Sequence, residues 1–401
     1  MNLYISRPGV LCAAGASLET LWKSVIEGNQ SGIEKTEIST GKAFYAARIK
    51  DGLSEPSSAR YDMRIMRIEE TALKQIEADI ERAKKLYGED RIAVCVGSCD
   101  NGTEASVAAH KAYFETGSFP KDYALEVQGA DYVSTFVAER YKLRGSVNTF
   151  STACSSSAGA LIKAAELILA GFADAVVTGG VDIVSDTVLM GFDSLGAVSP
   201  EITNPFSKNR SGITLGEGAA FFVLSKDRLD GGSAPVKLLG WGESADAYHM
   251  TSPDPSGAGA ALAMRRALES ASLKPEQIDY INLHGTGTHF NDAMEGSAVH
   301  AVFSPYNVPV SSTKPVTGHT LGAAAAIELS ICYAALVENI GKSGNNICLP
   351  VQIWDEETDS EIPPVHIIDR NNPANPGRNV SVCMSNSFAF GGANNSLIIG
   401  L

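Results

Sequence analysis

The sequence predicts an α/β protein made of two similar halves, and three observations carry that reading. Apolar, β-branched runs alternate along the chain with amphipathic or alanine-rich stretches, the pattern of strands covered by helices. The alanine-rich stretches lie between apolar runs, which suggests helices buried between sheets. A faint internal repeat is also present. Phe150-Ser151-Thr152 leads through a loop to Ala158-Gly159-Ala160, and Ser311-Ser312-Thr313 leads through a loop to Gly322-Ala323-Ala324-Ala325, an offset of roughly 160 residues. The halves are 1–230 and 231–401, joined near Lys226–Pro235, "KDRLDGGSAP".

Each element follows in order. Met1 to Arg7 reads as a first strand and lacks the charged and long apolar regions of a signal peptide. Arg67 to Leu86 has the spacing of an amphipathic helix, and Arg91 to Val96 is a strand before a glycine turn. In "VNTFSTACSSSAGALIKAAELILAG", Val147 to Gly171, a β-branched run enters and a helix from about Ser155 to Ala170 leaves, with Gly171 as its stop. Ala173 to Thr178 is a strand before Gly179-Gly180. Beyond the linker, Ala260 to Ser272 is amphipathic, and Val308 to Ser312 and Val380 to Met384 are strands.

The 401 residues are 44% hydrophobic and 19% charged, with material for a large core. No purely apolar run of about 18 residues marks a membrane span. The net charge of −14, without basic runs carrying aromatics, argues against nucleic acid. Seven cysteines without paired spacing point to a reducing cytoplasm. Cys95 and Cys99 lack the second pair of a zinc site and read as buried thiols. No metal motif, G-x-G-x-x-G fingerprint or Walker loop is present, so neither a metal nor a bound cofactor is expected.

Four stretches carry chemistry. Cys154 sits where a strand hands over to a helix, where free N–H groups and the helix dipole stabilise a thiolate and lower its pKa; a small buried hydrophobe is the alternative. His284 ends an apolar run in "INLHGTGTHFND" and is either functional or a hydrogen-bonded structural histidine; His289 reads as an ordinary loop residue. In "SSTKPVTGHTLGAAAAIE", Lys314 follows a strand and His319 opens a helix of small residues. Glu328 on that helix either partners Lys314 or faces water. "SNSFAFGGANNS" places phenylalanines beside Gly391-Gly392, in the core or at a gate. A thiol, two histidines and a lysine at strand ends form a constellation for covalent acyl transfer.

Together with "GEGAAFFVLSKD" (Gly216–Asp227) and "GWGESADAYHMTSPDPSGAGAALAM" (Gly240–Met264), these motifs strongly resemble the type I and II β-ketoacyl-acyl-carrier-protein synthases over essentially the whole chain. The resemblance implies a thiolase-like fold layered α/β/α/β/α and a decarboxylative Claisen condensation between a cysteine-bound acyl group and malonyl carrier protein. It implies Cys154 as nucleophile, His284 and His319 as catalytic histidines, Lys314 as the family lysine and Glu328 as its neighbouring glutamate. Phe390 would gate the site, its N–H and that of Cys154 forming the oxyanion hole. Thr286 and Thr288 would contact phosphopantetheine, with Thr251 in a neighbouring loop. The two histidines separate this type from the Cys-His-Asn synthases and from thiolases with a second catalytic cysteine, although Cys383 precedes the last loop.

Implied partners are an acidic acyl carrier protein, which brings the phosphopantetheine, and a second subunit in a homodimer or ketosynthase heterodimer. The alternative is a non-catalytic, chain-length-factor-like subunit. Arg60, Arg64 and Arg67 are the expected carrier contacts, with Lys208 and Arg210 as further candidates and a solvated helix face as the plain reading. Three departures stand out. Ala389 replaces the glycine before the gating phenylalanine. Asn204 to Gly212 lacks two aspartates and the leading arginine of R-P-x-D-x-x-R-D-G. Asp100, next to Asn101, stands where relatives line the acyl pocket with a small or apolar residue, which suggests a polar or unsaturated acyl chain or a carboxylate that points elsewhere.

Overall fold

The computed structural model describes residues 2–50, 52–55, 57, 59–100, 102–121, 123–229, 235–373 and 379–401. Among them, eleven strands follow one another across a single sheet. Their order is His366–Ile367, Pro309–Ser311, Tyr280–Asn282, Val382–Phe388, Ala393–Gly400, Lys237–Ala245, Tyr4–Ile5, Gly218–Ser225, Ala175–Asp182, Ile92–Gly97 and Val147–Phe150. A twelfth, Gly9–Cys12, also pairs with Gly218–Ser225. The ladder repeats itself. Val147–Phe150, Ile92–Gly97 and Ala175–Asp182 are parallel, and Gly218–Ser225 returns antiparallel. Likewise Pro309–Ser311, Tyr280–Asn282 and Val382–Phe388 are parallel, and Ala393–Gly400 returns antiparallel. The expected boundary at 230/231 lies outside the described residues.

The pleat sorts side chains into layers, because alternate residues face opposite sides of a strand. Ile92, Val94, Val96, Val177, Phe221 and Val223 pack with helices Arg64–Lys74, Glu77–Tyr87 and Tyr132–Tyr141. Their neighbours Ala93, Cys95, Val176, Phe222 and Leu224 pack on the other side, with helices Ser156–Leu169 and Ala324–Glu338. In the second half, Tyr280, Cys383, Leu397 and Ile399 join that same central cluster. Ile281, Val310, Met384 and Ile398 instead pack with helices Ala258–Ala271 and His289–Phe303. The result is helix, sheet, helix, sheet, helix. Strands covered on both faces are buried along their whole length, as every residue of Ala175–Asp182 and Gly218–Ser225 is.

Alanine dominates the central helices because each must lie close to two sheets and to the other helix. Ala158, Ala160, Ala164, Ala325, Ala326 and Ala334 are all buried there, and a larger side chain at such positions costs about 1–3 kcal/mol in overpacking. Leu321–Glu338 is apolar and long enough to cross a membrane, but it is buried in this central layer. The expected helix from Arg67 to Leu86 is two helices, Arg64–Lys74 and Glu77–Tyr87. Between them, Gln75 turns its side-chain amide onto the backbone N–H and C=O of Val10, at 3.2 and 2.9 Å. The first strand is confined to Tyr4–Ile5.

The repeat reaches into the turns that open the central helices. Ala153–Ser155 and Leu321–Ala323 are short 3₁₀ turns leading into Ser156–Leu169 and Ala324–Glu338. Ala153 and Leu321 have φ of 50° and 51°, a left-handed conformation that costs a residue with a Cβ about 1–2 kcal/mol. The next residue is Cys154 in one turn and Gly322 in the other.

Candidate active site

The turn at Ala153 delivers Cys154 to the interface between the halves, where both histidines converge on it. Nε2 of His319 lies 3.0 Å from Cys154 Sγ. The His284 ring stands at 87° to that of His319, with centroids 5.4 Å apart. The sulfur and one nitrogen of each ring lie within 4.8 Å of one another. These are also donor types that zinc accepts, although the sequence pointed to no metal here.

Buried carboxylates hold this arrangement in place. His284 follows the strand Tyr280–Asn282, and its N–H and that of Gly285 donate to Glu295 at 2.8 and 2.7 Å. Lys314 is wholly buried; its ammonium donates to the backbone carbonyl of His284 and to Glu328, the latter at 2.5 Å. Glu328 is therefore the partner of Lys314 and does not face water. Asp182 closes the seam between the halves, accepting from the N–H groups of Cys99 (2.9 Å), Asp100 (3.0 Å) and Gly322 (2.6 Å).

Burial outweighs the helix-terminus effect expected for the thiol. Removal from water pushes Cys154 up to about 11, against the opposing pull of the Lys314 charge and of the backbone N–H groups of Phe390 and Cys154 itself. The resting group is a thiol. Both histidines are held well below the ordinary imidazole value by burial and by the Lys314 charge, with His319 adding to the effect on His284. They are neutral at neutral pH. Burial raises Glu295 to about 8, Glu328 to about 7 and Asp182 to about 7.

A cavity of about 310 Å³ opens over these residues, and Thr251, Thr286, Thr288 and Phe390 line it with Cys154, His284 and His319. The hydroxyls of Thr286 and Thr288 are 3.0 Å apart. Phe390 stacks on Phe192 at 5.9 Å. Ala389 has φ −103° and ψ 157°, an extended conformation any residue adopts, so the loss of glycine imposes no backbone strain. His289 also lines the cavity, although it reads in the sequence as an ordinary loop residue.

Other candidates fall elsewhere. Asp100 does not line this cavity. Its Oδ2 accepts from the Tyr132 hydroxyl and from Gly102 N–H, both at 2.7 Å, so the buried carboxylate is partnered. Asn101 lies outside the described residues. Arg60, Arg64 and Arg67 cluster at one helix start but face acids: Arg60 is 3.6 Å from Glu139, Arg64 pairs with the buried Glu217, and Arg67 is 2.7 Å from Asp62. Lys208 pairs with Glu357 at 2.6 Å. Arg210 lines the cavity but is buried against Asp359 at 2.5 Å.

Residues 9–229 match the β-ketoacyl synthase N-terminal domain, and residues 236–342 the C-terminal domain. The chain belongs to the β-ketoacyl synthase family. It is 32% identical to 3-oxoacyl-[acyl-carrier-protein] synthase 2 of Vibrio cholerae, over 99% of this chain and 98% of that one. It is 31% identical to nodulation protein E of Rhizobium meliloti, over 98% and 97%. Among solved structures, a chain from the complex of a ketosynthase with its chain length factor from Xenorhabdus doucetiae is 35% identical, with a TM-score of 0.89 over 100% of this chain and 98% of that one. A β-ketoacyl synthase from Burkholderia phymatum gives 28% and 0.83, over 100% and 99%.

In this β-ketoacyl synthase, sequence reasoning missed Glu295, Asp182 and Tyr132. Glu295 sits in helix His289–Phe303 and Asp182 ends a fully buried strand. An acid in such a buried position is itself the signal, since it needs donors to satisfy it.

Proposed function

We propose that this chain is an acyltransferase that condenses an acyl group held on Cys154 with malonyl carried by an acyl carrier protein. The observation that carries the assignment of residues is the 3.0 Å contact between Cys154 Sγ and His319 Nε2, with the neutral His284 ring beside it. In the first half-reaction the sulfur attacks the carrier thioester, the carbon–sulfur bond to phosphopantetheine breaks, and the departing thiol takes the proton that Cys154 releases through His319. Malonyl carrier then loses carbon dioxide, and the electron pair of the broken carbon–carbon bond becomes an enolate. The neutral rings of His284 and His319 each stabilise its oxygen through a ring N–H, the His319 proton moving to Nε2 once the acylated sulfur no longer donates to that atom. The carbanion attacks the Cys154 thioester, whose oxyanion is held by the N–H groups of Cys154 and Phe390. Cys154 leaves and takes up one proton, giving a β-ketoacyl carrier protein.

Thr286, Thr288 and Thr251 guide the phosphopantetheine arm, which belongs to the carrier; the enzyme itself needs no cofactor. Lys314 and Glu328 position His284. The enzyme works as a homodimer or as the active subunit of a heterodimer, in the cytoplasm, where its seven free cysteines stay reduced. A chain-length-factor-like role is disfavoured by the intact Cys-His-His set. The test is mass spectrometry of Cys154 after incubation with a panel of acyl carrier thioesters. An acyl adduct on that peptide, lost in Cys154→Ala, is expected. No adduct from any donor would overturn the assignment.

A further inference from the structure

One carboxylate joins the turn that carries Cys154 to the turn that follows His319. Asp182 ends a strand buried along its whole length, and four neutral donors converge on it. Its Oδ1 accepts from the Ser98 hydroxyl at 3.2 Å and from Asp100 N–H at 3.0 Å. Its Oδ2 accepts from Cys99 N–H at 2.9 Å and, across the seam between the halves, from Gly322 N–H at 2.6 Å. On the near side Cys99 passes the constraint on. Its thiol donates at 3.2 Å to the carbonyl of Ala153, the left-handed residue before Cys154. On the far side Gly322 lies three residues beyond His319, in the turn Leu321–Ala323.

The imidazole depends on such support from its backbone. Nδ1 of His319 is buried and meets no hydrogen-bond partner among the described residues, so the ring is placed by its main chain and by packing. That main chain is tied to the first half at Thr214, whose carbonyl accepts from His319 N–H at 2.7 Å, and at Gly216, whose N–H donates to the His319 carbonyl at 2.9 Å. The tie toward the Cys154 turn runs through Asp182. The halves also stay docked without it, because the central helices are joined separately where Ala326 N–H donates to Ser157 Oγ at 3.0 Å.

We propose that Asp182, with Cys99 as its relay, is a positioning residue for the condensation: it holds the two turns in register so that His319 Nε2 stays in contact with the Cys154 sulfur. This assignment rests on the roles given above to Cys154 and His319. A misplacement of about 1 Å between reacting groups costs about 100-fold in rate, and the carboxylate sits where a small shift of either turn would produce one.

The experiment uses Asp182→Asn and Cys99→Ala, each alone and each combined with His319→Ala. Asparagine keeps the shape but offers one acceptor oxygen in place of two, so at least one N–H of the seam loses its bond. Alanine removes the thiol that donates to Ala153. Alkylation of Cys154 by iodoacetamide, read on the Cys154 peptide by mass spectrometry, reports the sulfur–imidazole contact whatever the substrate. At about pH 7, Asp182→Asn should slow it about tenfold and Cys99→Ala about threefold. Neither should slow it further in the His319→Ala background, where the contact they serve is already gone. Acylation from acyl pantetheine should fall in kcat, with KM within about twofold. Equal slowing in both backgrounds, or wild-type alkylation in Cys99→Ala and Asp182→Asn, would overturn the assignment; if Asp182→Asn does not fold, Cys99→Ala decides by the same comparison. Alkylation unaffected by His319→Ala itself would overturn the role of that histidine, and the clamp with it. The expected alkylation pattern in an enzyme that no acyl donor acylates would overturn the condensing function and leave the clamp standing.

Discussion

Removing either partner of the Lys314–Glu328 pair should destabilise the enzyme, with opposite pH dependence in the two variants. Both side chains are buried, 2.5 Å apart, in the central layer. In Lys314→Met the Glu328 carboxyl loses its counter-charge, stays protonated in the folded chain, and ionises on unfolding. The folded state then binds more protons, so stability falls as pH rises above the ordinary carboxyl value. Glu328 already stands at about 7 in the paired enzyme, so the variant departs from wild type above that pH, by about 1.4 kcal/mol for each further pH unit. In Glu328→Leu the lysine must enter the core uncharged or unpaired, while the unfolded chain keeps it protonated up to the ordinary lysine value. The unfolded state binds more protons, and stability rises with pH. Each pH unit in that direction is worth at most about 1.4 kcal/mol. The double variant, with no buried charge, should recover most of this. Chemical denaturation of the three variants across about pH 6 to 9 reads both slopes. Parallel slopes, or a double variant no more stable than either single one, would refute the reasoning.

Cys154→Ala should abolish condensation, whereas His284→Ala or His319→Ala should also remove release of carbon dioxide from malonyl carrier; condensation at near wild-type rate by the alanine variant would show another nucleophile. Gly97→Ala should lower stability by about 1–3 kcal/mol by overpacking, and should change the alkylation rate of Cys154. The new Cβ would meet Ser157 N at 2.3 Å, in the first turn of the Cys154 helix, so unaltered melting and alkylation would contradict that packing. Tyr132→Phe should cost about 1–3 kcal/mol by leaving a buried acceptor on Asp100 short of a donor, seen as a lower Tm. It should leave acyl preference unchanged in competition between saturated and unsaturated donors.

Cys154, His284, His319 and Lys314 were legible because each punctuates a change of period, where a strand ends and a glycine- or alanine-rich segment begins. Local pattern is enough to place such residues at the edge of a sheet. The layers were legible for the same reason: Ala175–Asp182 is buried along its whole length, and Ala324–Glu338 is apolar through nearly all of its turns. What escaped depends on contacts between distant segments. Asp100 finds Tyr132 in a separate helix, Gln75 interrupts a helix to reach Val10, and Arg210 draws its acid from Asp359 instead of its own loop. None of these leaves a mark on the periodicity of either partner. The thiol's acidity was misjudged because a helix N-terminus can be seen in sequence, while complete removal of that terminus from water cannot.

The paired left-handed turns set a limit on what the molecule can be made to do. One building unit, used twice, offers two seats for a nucleophile, one at Cys154 and one at Gly322. The second seat has been closed by crowding. A Cβ at Gly322 would stand 2.6 Å from Asp182 Oδ2 and 2.9 Å from Cys99 N, inside the seam where the halves meet. The two halves therefore divide roles: one presents the sulfur, while the other keeps a glycine where the two touch. A second thiol could not be grafted onto the mirror position without prising the copies apart and dismantling the centre at Cys154.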